Sequence, residues 1–135
     1  MNNKIFFVIV LSLFLFGCLN VDKVSKLSVE DQKNMTDFIS SQKKKLPRSL
    51  DCCTTWVDVY QNDNNLVYLY KMNVEEIDSK KIQEIKNKHY SQEKMEEICG
   101  MITGAFENPV VFEYRIVNNK NKDLFQITFT EEYCN

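Results

Sequence analysis

Residues 110–129 read VVFEYRIVNNKNKDLFQITF, and this stretch decides the fold class. Val110, Phe112, Tyr114 and Ile116 alternate with Glu113 and Arg115. After the polar segment 118–123, Phe125, Ile127 and Phe129 alternate with Gln126, Thr128 and Thr130. A period of two puts the two sets on opposite faces of a strand. The stretch therefore reads as a β-hairpin with one apolar and one polar face, which implies a sheet covered on a single side.

Upstream the period changes to that of a helix. Met95, Ile98, Cys99, Ile102 and Phe106 recur at helical spacing behind a capping Ser91, and Asn108-Pro109 marks the exit. An earlier helix, capped by Asn73 or Asp78, carries Ile82, Ile85 and His89. Glu93, Glu96 and Glu97 fall on the solvent side of the wheel, which argues against a paired acid and base. His89, near a helix C-terminus, reads as a partly satisfied surface imidazole.

A second strand pair precedes these helices. Thr55, Val57 and Val59 alternate with Trp56, Asp58 and Tyr60, and Leu66–Met72 follows a polar turn over 61–65. Both faces of this pair are apolar, so it belongs near the middle of the sheet. Trp56, Tyr60, Tyr68 and Tyr70 make a candidate partner-binding stripe, with core packing as the competing reading. Further upstream, Ser28 and Asp31 have the spacing of a capping box. Met35, Phe38, Ile39, Gln42 and Leu46 then follow the helical period over about 29–45, and Pro47 closes the helix. Lys43, Lys44 and Lys45 in its last turn suit the helix dipole.

The expected fold is α+β: an N-terminal helix, a β-hairpin, two central helices and a C-terminal β-hairpin. It forms a small antiparallel sheet with helices on one face, as one domain over residues 28–135. Composition agrees, with 44% hydrophobic and 27% charged residues, three Gly and two Pro in 135 residues. A formal net charge of −2 removes the broad electrostatic case for nucleic-acid binding. One His and the lack of a glycine-rich loop leave no catalytic constellation and no cofactor motif.

The N-terminus speaks to compartment. Ile5–Phe16 is apolar except for Ser12 and follows the single positive charge of Lys4. As a helix it would rise about 18 Å, short of the roughly 30 Å hydrocarbon core, so it suits a signal peptide over residues 1–17. Its ending, Leu15-Phe16-Gly17-Cys18, resembles the bacterial lipoprotein box. That resemblance implies diacylglycerol attachment and N-acylation at Cys18, followed by a tether over 18–27. Anchoring by several acyl chains holds a protein on a membrane without spanning it. Leu19 stands where an Asp would signal inner-membrane retention, which favours the outer membrane, facing the periplasm.

Export gives the remaining cysteines an oxidising compartment. Cys52, Cys53, Cys99 and Cys134 allow three pairings. Cys99 lies on a buried helix stripe and Cys134 just past the last strand, so a 99–134 bridge would staple helix to sheet edge. Cys52 and Cys53 would then be a vicinal bridge, two free thiols or links to another chain. The other pairings would tie the 52–53 segment to both later cysteines. No metal is expected, because no CxxC repeat exists and His89 stands alone.

Leu46-Pro47, Asp51, Thr54, Leu66-Val67-Tyr68-Leu69-Tyr70, Cys99, Phe112-Glu113-Tyr114 and Cys134 together resemble a group of small exported bacterial proteins over residues 46–134. The order of lipidated Cys, helix, hairpin, helices, Cys, hairpin and terminal Cys is similar to type II secretion pilotins of the small α+β class. Those lipoproteins ferry and place the outer-membrane secretin. The resemblance implies a protein-interaction or assembly factor in the cell envelope, not an enzyme. The alternative is a periplasmic inhibitor of a lytic enzyme such as lysozyme, acting through a loop at Gln61–Asn65. A thiol redox role for Cys52-Cys53 ranks third.

Overall fold

The computed structural model describes residues 26–134. The signal peptide, Cys18 and most of the tether lie outside the described residues. Among the described residues the first element is α1 (Val29–Lys43), where Ser28 Oγ accepts the N–H of Asp31 at 3.0 Å. The helix stops before a cis Leu46–Pro47 peptide. Four strands and two helices follow in the expected order: β2 (Thr54–Asn62), β3 (Asn65–Met72), α2 (Ser79–His89), α3 (Gln92–Ala105), β4 (Val111–Val117) and β5 (Asp123–Phe129). Ahead of them lies β1 (Arg48–Ser49), whose two residues are too few to show any period in the sequence. Of the two candidate caps for α2, Asp78 takes the role, accepting the N–H of Lys81 at 2.9 Å.

The five strands lie in the order β1-β2-β3-β4-β5. Both hairpins are antiparallel, as expected, but β3 and β4 pair in parallel, so the sheet is mixed. The expectation of an all-antiparallel sheet fails at this pair. The reason is the connection: α2 and α3 carry the chain back across one face, and it re-enters the sheet at the end where β3 began. A strand reached by such a crossover runs parallel to its predecessor.

The parallel register aligns apolar side chains in rows. Phe129, Phe112 and Leu66 lie opposite one another, as do Ile127, Tyr114 and Tyr68, and Phe125, Ile116 and Tyr70. Met35 of α1 and Ile98 and Ile102 of α3 pack on this face and complete the core. Fully burying each such side chain contributes about 1.5–3 kcal/mol. A short 3₁₀ turn, Glu131–Cys134, follows β5. There Cys134 is bonded to Cys99 of α3, with Cα atoms 5.4 Å apart, and the helix is stapled to the sheet edge.

The opposite face carries its own cover. Arg115 donates from Nε and Nη2 to the two carboxylate oxygens of Asp123, at 2.7 and 2.8 Å, and from Nη1 to Tyr60 Oη at 3.4 Å. Val67 lies on this face beside Tyr60 and Glu113, yet is only 1% exposed. Long polar side chains shield apolar surface through their aliphatic and aromatic parts. Among the described residues, no helix is long and apolar enough to cross a membrane.

Candidate functional site

Three of the four predicted binding residues meet on the helix-covered face. Trp56 stands 5.3 Å from Tyr68 and 6.2 Å from Tyr70, ring centroid to centroid. Tyr60 does not join them. A bulge between Trp56 and Asp58 breaks the alternation, so Trp56 pairs with Tyr70, Val59 with Tyr68, and Tyr60 with Val67. One extra residue inverts the facing of everything after it. Tyr60 therefore points to the opposite face, towards Arg115.

Tyr114 takes the place that Tyr60 leaves. Its ring lies 5.1 Å from Tyr68, 5.6 Å from Tyr70 and 5.6 Å from the His89 imidazole. Alternation had already put Tyr114 on the apolar face of its hairpin. Its meeting with Tyr68 follows from the parallel β3–β4 register, for which no local pattern gives a signal.

Helices frame this aromatic floor. At one end α1 and α3 are tied together: Asn34 Nδ2 donates to the carbonyl of Ala105 at 3.2 Å. Towards the other end Phe38 flanks Tyr68 from the α1 side, at 6.4 Å. His89, at the end of α2, borders Tyr114 on the far side. Arg48 caps the β1 side, its guanidinium 5.7 Å from the centre of the Trp56 ring. The half-buried His89 imidazole is held by its own helix, Nδ1 lying 2.9 Å from the carbonyl oxygen of Ile85.

Electrostatics fix the phenols as neutral. Burial raises the pKa of Tyr68 and Tyr70 above the ordinary value of 10.0, and the neighbouring tyrosines add to the effect. Tyr114 is pushed up to about 12, by burial first and by the negative charge of Glu97 second. Trp56 donates its indole N–H to the carbonyl of Asp58 at 2.9 Å, which sets the ring's orientation. Trp56, Tyr68 and Tyr114 are 8, 6 and 5% exposed and belong to the core, so core packing is the reading that holds for them. Half-buried Tyr70 and exposed Arg48 are what the cluster presents beside β1.

The other predicted site residues lie elsewhere. Cys52 and Cys53 are exposed free thiols before β2. Gln61–Asn65, the loop an enzyme inhibitor would need, is no projection. Gln61, Asn62 and Asn65 belong to strands, and only Asp63 and Asn64 turn, with φ 52° at Asp63.

No protein-family model and no curated protein matches this chain. Solved structures do. A protein of Pseudomonas aeruginosa described as secreted superposes with a TM-score of 0.55 at 12% identity, over 80% of this chain and 98% of that one. The pilotin EpsS of the Vibrio vulnificus type 2 secretion system superposes with a TM-score of 0.56 at 8% identity, over 78% and 96%. AspS, the type II secretion pilotin of Vibrio cholerae, does so with 0.51 at 11% identity, also over 78% and 96%. At such identities the likeness is one of fold. The chain has the α+β fold that these pilotins share.

Proposed function

We propose that this protein is a lipid-anchored envelope factor that holds a segment of a secretion-system partner at the β1 edge of the aromatic cluster, where Tyr70 and Arg48 are presented. The observation that carries the reading is this edge, where half-buried Tyr70 and exposed Arg48 flank the buried Trp56 ring. The fold shared with EpsS and AspS supports the choice of partner. The role is one of binding and placement. The lipid at Cys18 would supply location at the outer membrane, and the Tyr70–Arg48 edge would supply recognition.

The test is genetic and structural together. Cells lacking the gene should fail to assemble their outer-membrane secretion channel, and the wild-type gene should restore it. A Tyr70→Ala protein, present at normal level and folded, should not. Normal channel assembly in the deleted strain overturns the reading.

A further inference from the structure

Asp51, Cys52 and Cys53 lie in the loop between β1 and β2, and local contacts fix its shape. One Asp51 carboxylate oxygen accepts the N–H groups of Cys53 and Thr54, at 2.8 and 2.7 Å. The Cys53 carbonyl accepts the N–H of Asn73 at 2.8 Å. Ser49 Oγ donates to the Asp51 carbonyl at 3.0 Å. The consequence is a clustering of donors: an Asp51 carboxylate oxygen and both sulfurs lie within 4.8 Å of one another. They face an open cavity of about 330 Å³, which Asn73 and Asn119 also line.

We propose that Asp51, Cys52 and Cys53 chelate one soft divalent cation of the zinc and cadmium type. Metal–sulfur bonds of about 2.3 Å at a tetrahedral centre put two sulfurs roughly 3.8 Å apart, and metal–oxygen bonds of about 2.1 Å bring the carboxylate to a similar distance. The present separations, none above 4.8 Å, lie within about 1 Å of these values. On binding, each thiol gives its proton to solvent and becomes a thiolate ligand. One cation enters, two protons leave, and nothing is oxidised or reduced. The fourth position stays open to water or to an amide oxygen from the cavity wall.

Oxidation to a vicinal disulfide is the competing fate of such a pair. Asp51 fixes the loop through the Cys53 and Thr54 N–H groups, and its carboxylate beside both sulfurs offers a chelate the third donor that a disulfide does not use. A CxxC repeat or a histidine cluster is the usual signature of such a site in sequence. Three consecutive residues present neither.

The experiment uses the full chain carrying Cys18→Ser, isolated in detergent without oxygen, so that Cys52 and Cys53 are the only free thiols. Cadmium titration should raise a thiolate-to-metal charge-transfer band that saturates at one ion per chain, and zinc should compete it away. Thiol-reagent counts should fall from two to zero. Cys52→Ser with Cys53→Ser should abolish the band. Asp51→Asn keeps the oxygen that holds the loop but loses the charge, and should weaken binding tenfold or more. Absence of a band, saturation at half an ion per chain, unchanged affinity in Asp51→Asn, or no reactive thiol at isolation each overturns the proposal.

Discussion

Asp31 and Asn108 stand 77 residues apart in sequence and meet through one carboxylate oxygen. Asp31 Oδ2 accepts the backbone N–H of Asn108 at 3.0 Å and its side-chain N–H at 2.6 Å. The other oxygen accepts the N–H of Glu107 at 2.7 Å. The side chain is fully buried. This carboxylate latches the first turn of α1 to the segment that leaves α3 and enters β4.

Removing the latch should be costly. Asp31→Ala leaves three part-buried donors without their acceptor, and an unpaired buried group costs about 1–3 kcal/mol. A loss of about 3 kcal/mol is expected, a fall in melting temperature on the order of 10 °C. Thermal unfolding monitored by circular dichroism checks it. A fall of only a degree or two would show that Asp31 is not a latch.

Acid should act through the same group. Burial alone raises the Asp31 pKa, but hydrogen bonds from Asn108, Glu107 and Ser28 outweigh it and hold the carboxyl below the ordinary 3.8. A lowered folded value means that the stability is present above the unfolded pKa and is lost as pH falls through the folded one. Melting temperature should therefore drop below about pH 4, less steeply in Asp31→Asn than in wild type. Asp123, held down mainly by Arg115, and Asp51, held down mainly by the Cys53 N–H, add to the wild-type slope. Parallel slopes in the two proteins would remove Asp31 from the account.

Asp31 also shows where sequence reading stops. Ser28 and Asp31 have capping-box spacing, and the Ser28 half of that reading stands. The Asp31 side chain turns inward instead, because partners 76 and 77 residues away have no local signature. The strand and helix periods were legible because each reports one element's own burial. The parallel meeting of β3 and β4 was not, since pairing between distant strands depends on how α2 and α3 fold back. Tyr60 leaves its expected face for a local reason: the bulge at Trp56/Asp58 adds a residue that strict alternation does not foresee.

The staple should be measurable. The Cys99–Cys134 bridge closes a loop with a sequence separation of 35. On the chain-entropy account that contributes about 3–4 kcal/mol. Cys134→Ala should lower the melting temperature by several degrees or more in non-reducing buffer. Peptide mapping without reductant should recover the linked pair. Two free thiols at these positions would leave the bridge without support.

Alkali should probe the aromatic floor. Tyr68, Tyr70 and Tyr114 hold their protons above the ordinary value of 10.0, mainly through burial. A phenol with a raised folded pKa stabilises fully below the unfolded value, and that stability is lost as pH rises through the folded value. In an ultraviolet titration of the folded protein, these three should remain neutral when the denatured chain has already ionised all six tyrosines. Glu97→Gln should bring Tyr114 down towards 10, because it removes the second cause of its shift. Six phenols titrating together near 10 in the folded protein would contradict the closed, desolvated floor.

The proposed anchor makes the last prediction. Residues 18–27 bridge Cys18 and Ser28, and ten residues reach at most about 36 Å when fully extended. A lipid at Cys18 would thus keep the domain within one protein diameter of the bilayer, where a membrane-bound partner is also confined. One acyl chain binds reversibly, whereas two or more hold firmly. Wild-type protein should therefore enter the detergent phase of a temperature-induced detergent split, and Cys18→Ser should stay in the aqueous phase or remain uncleaved. Melting temperature and the 99–134 bridge should be unchanged in an aqueous Cys18→Ser protein, since the core is built from Met35 onward. Wild-type protein found in the aqueous phase would detach recognition from the membrane and overturn the anchor.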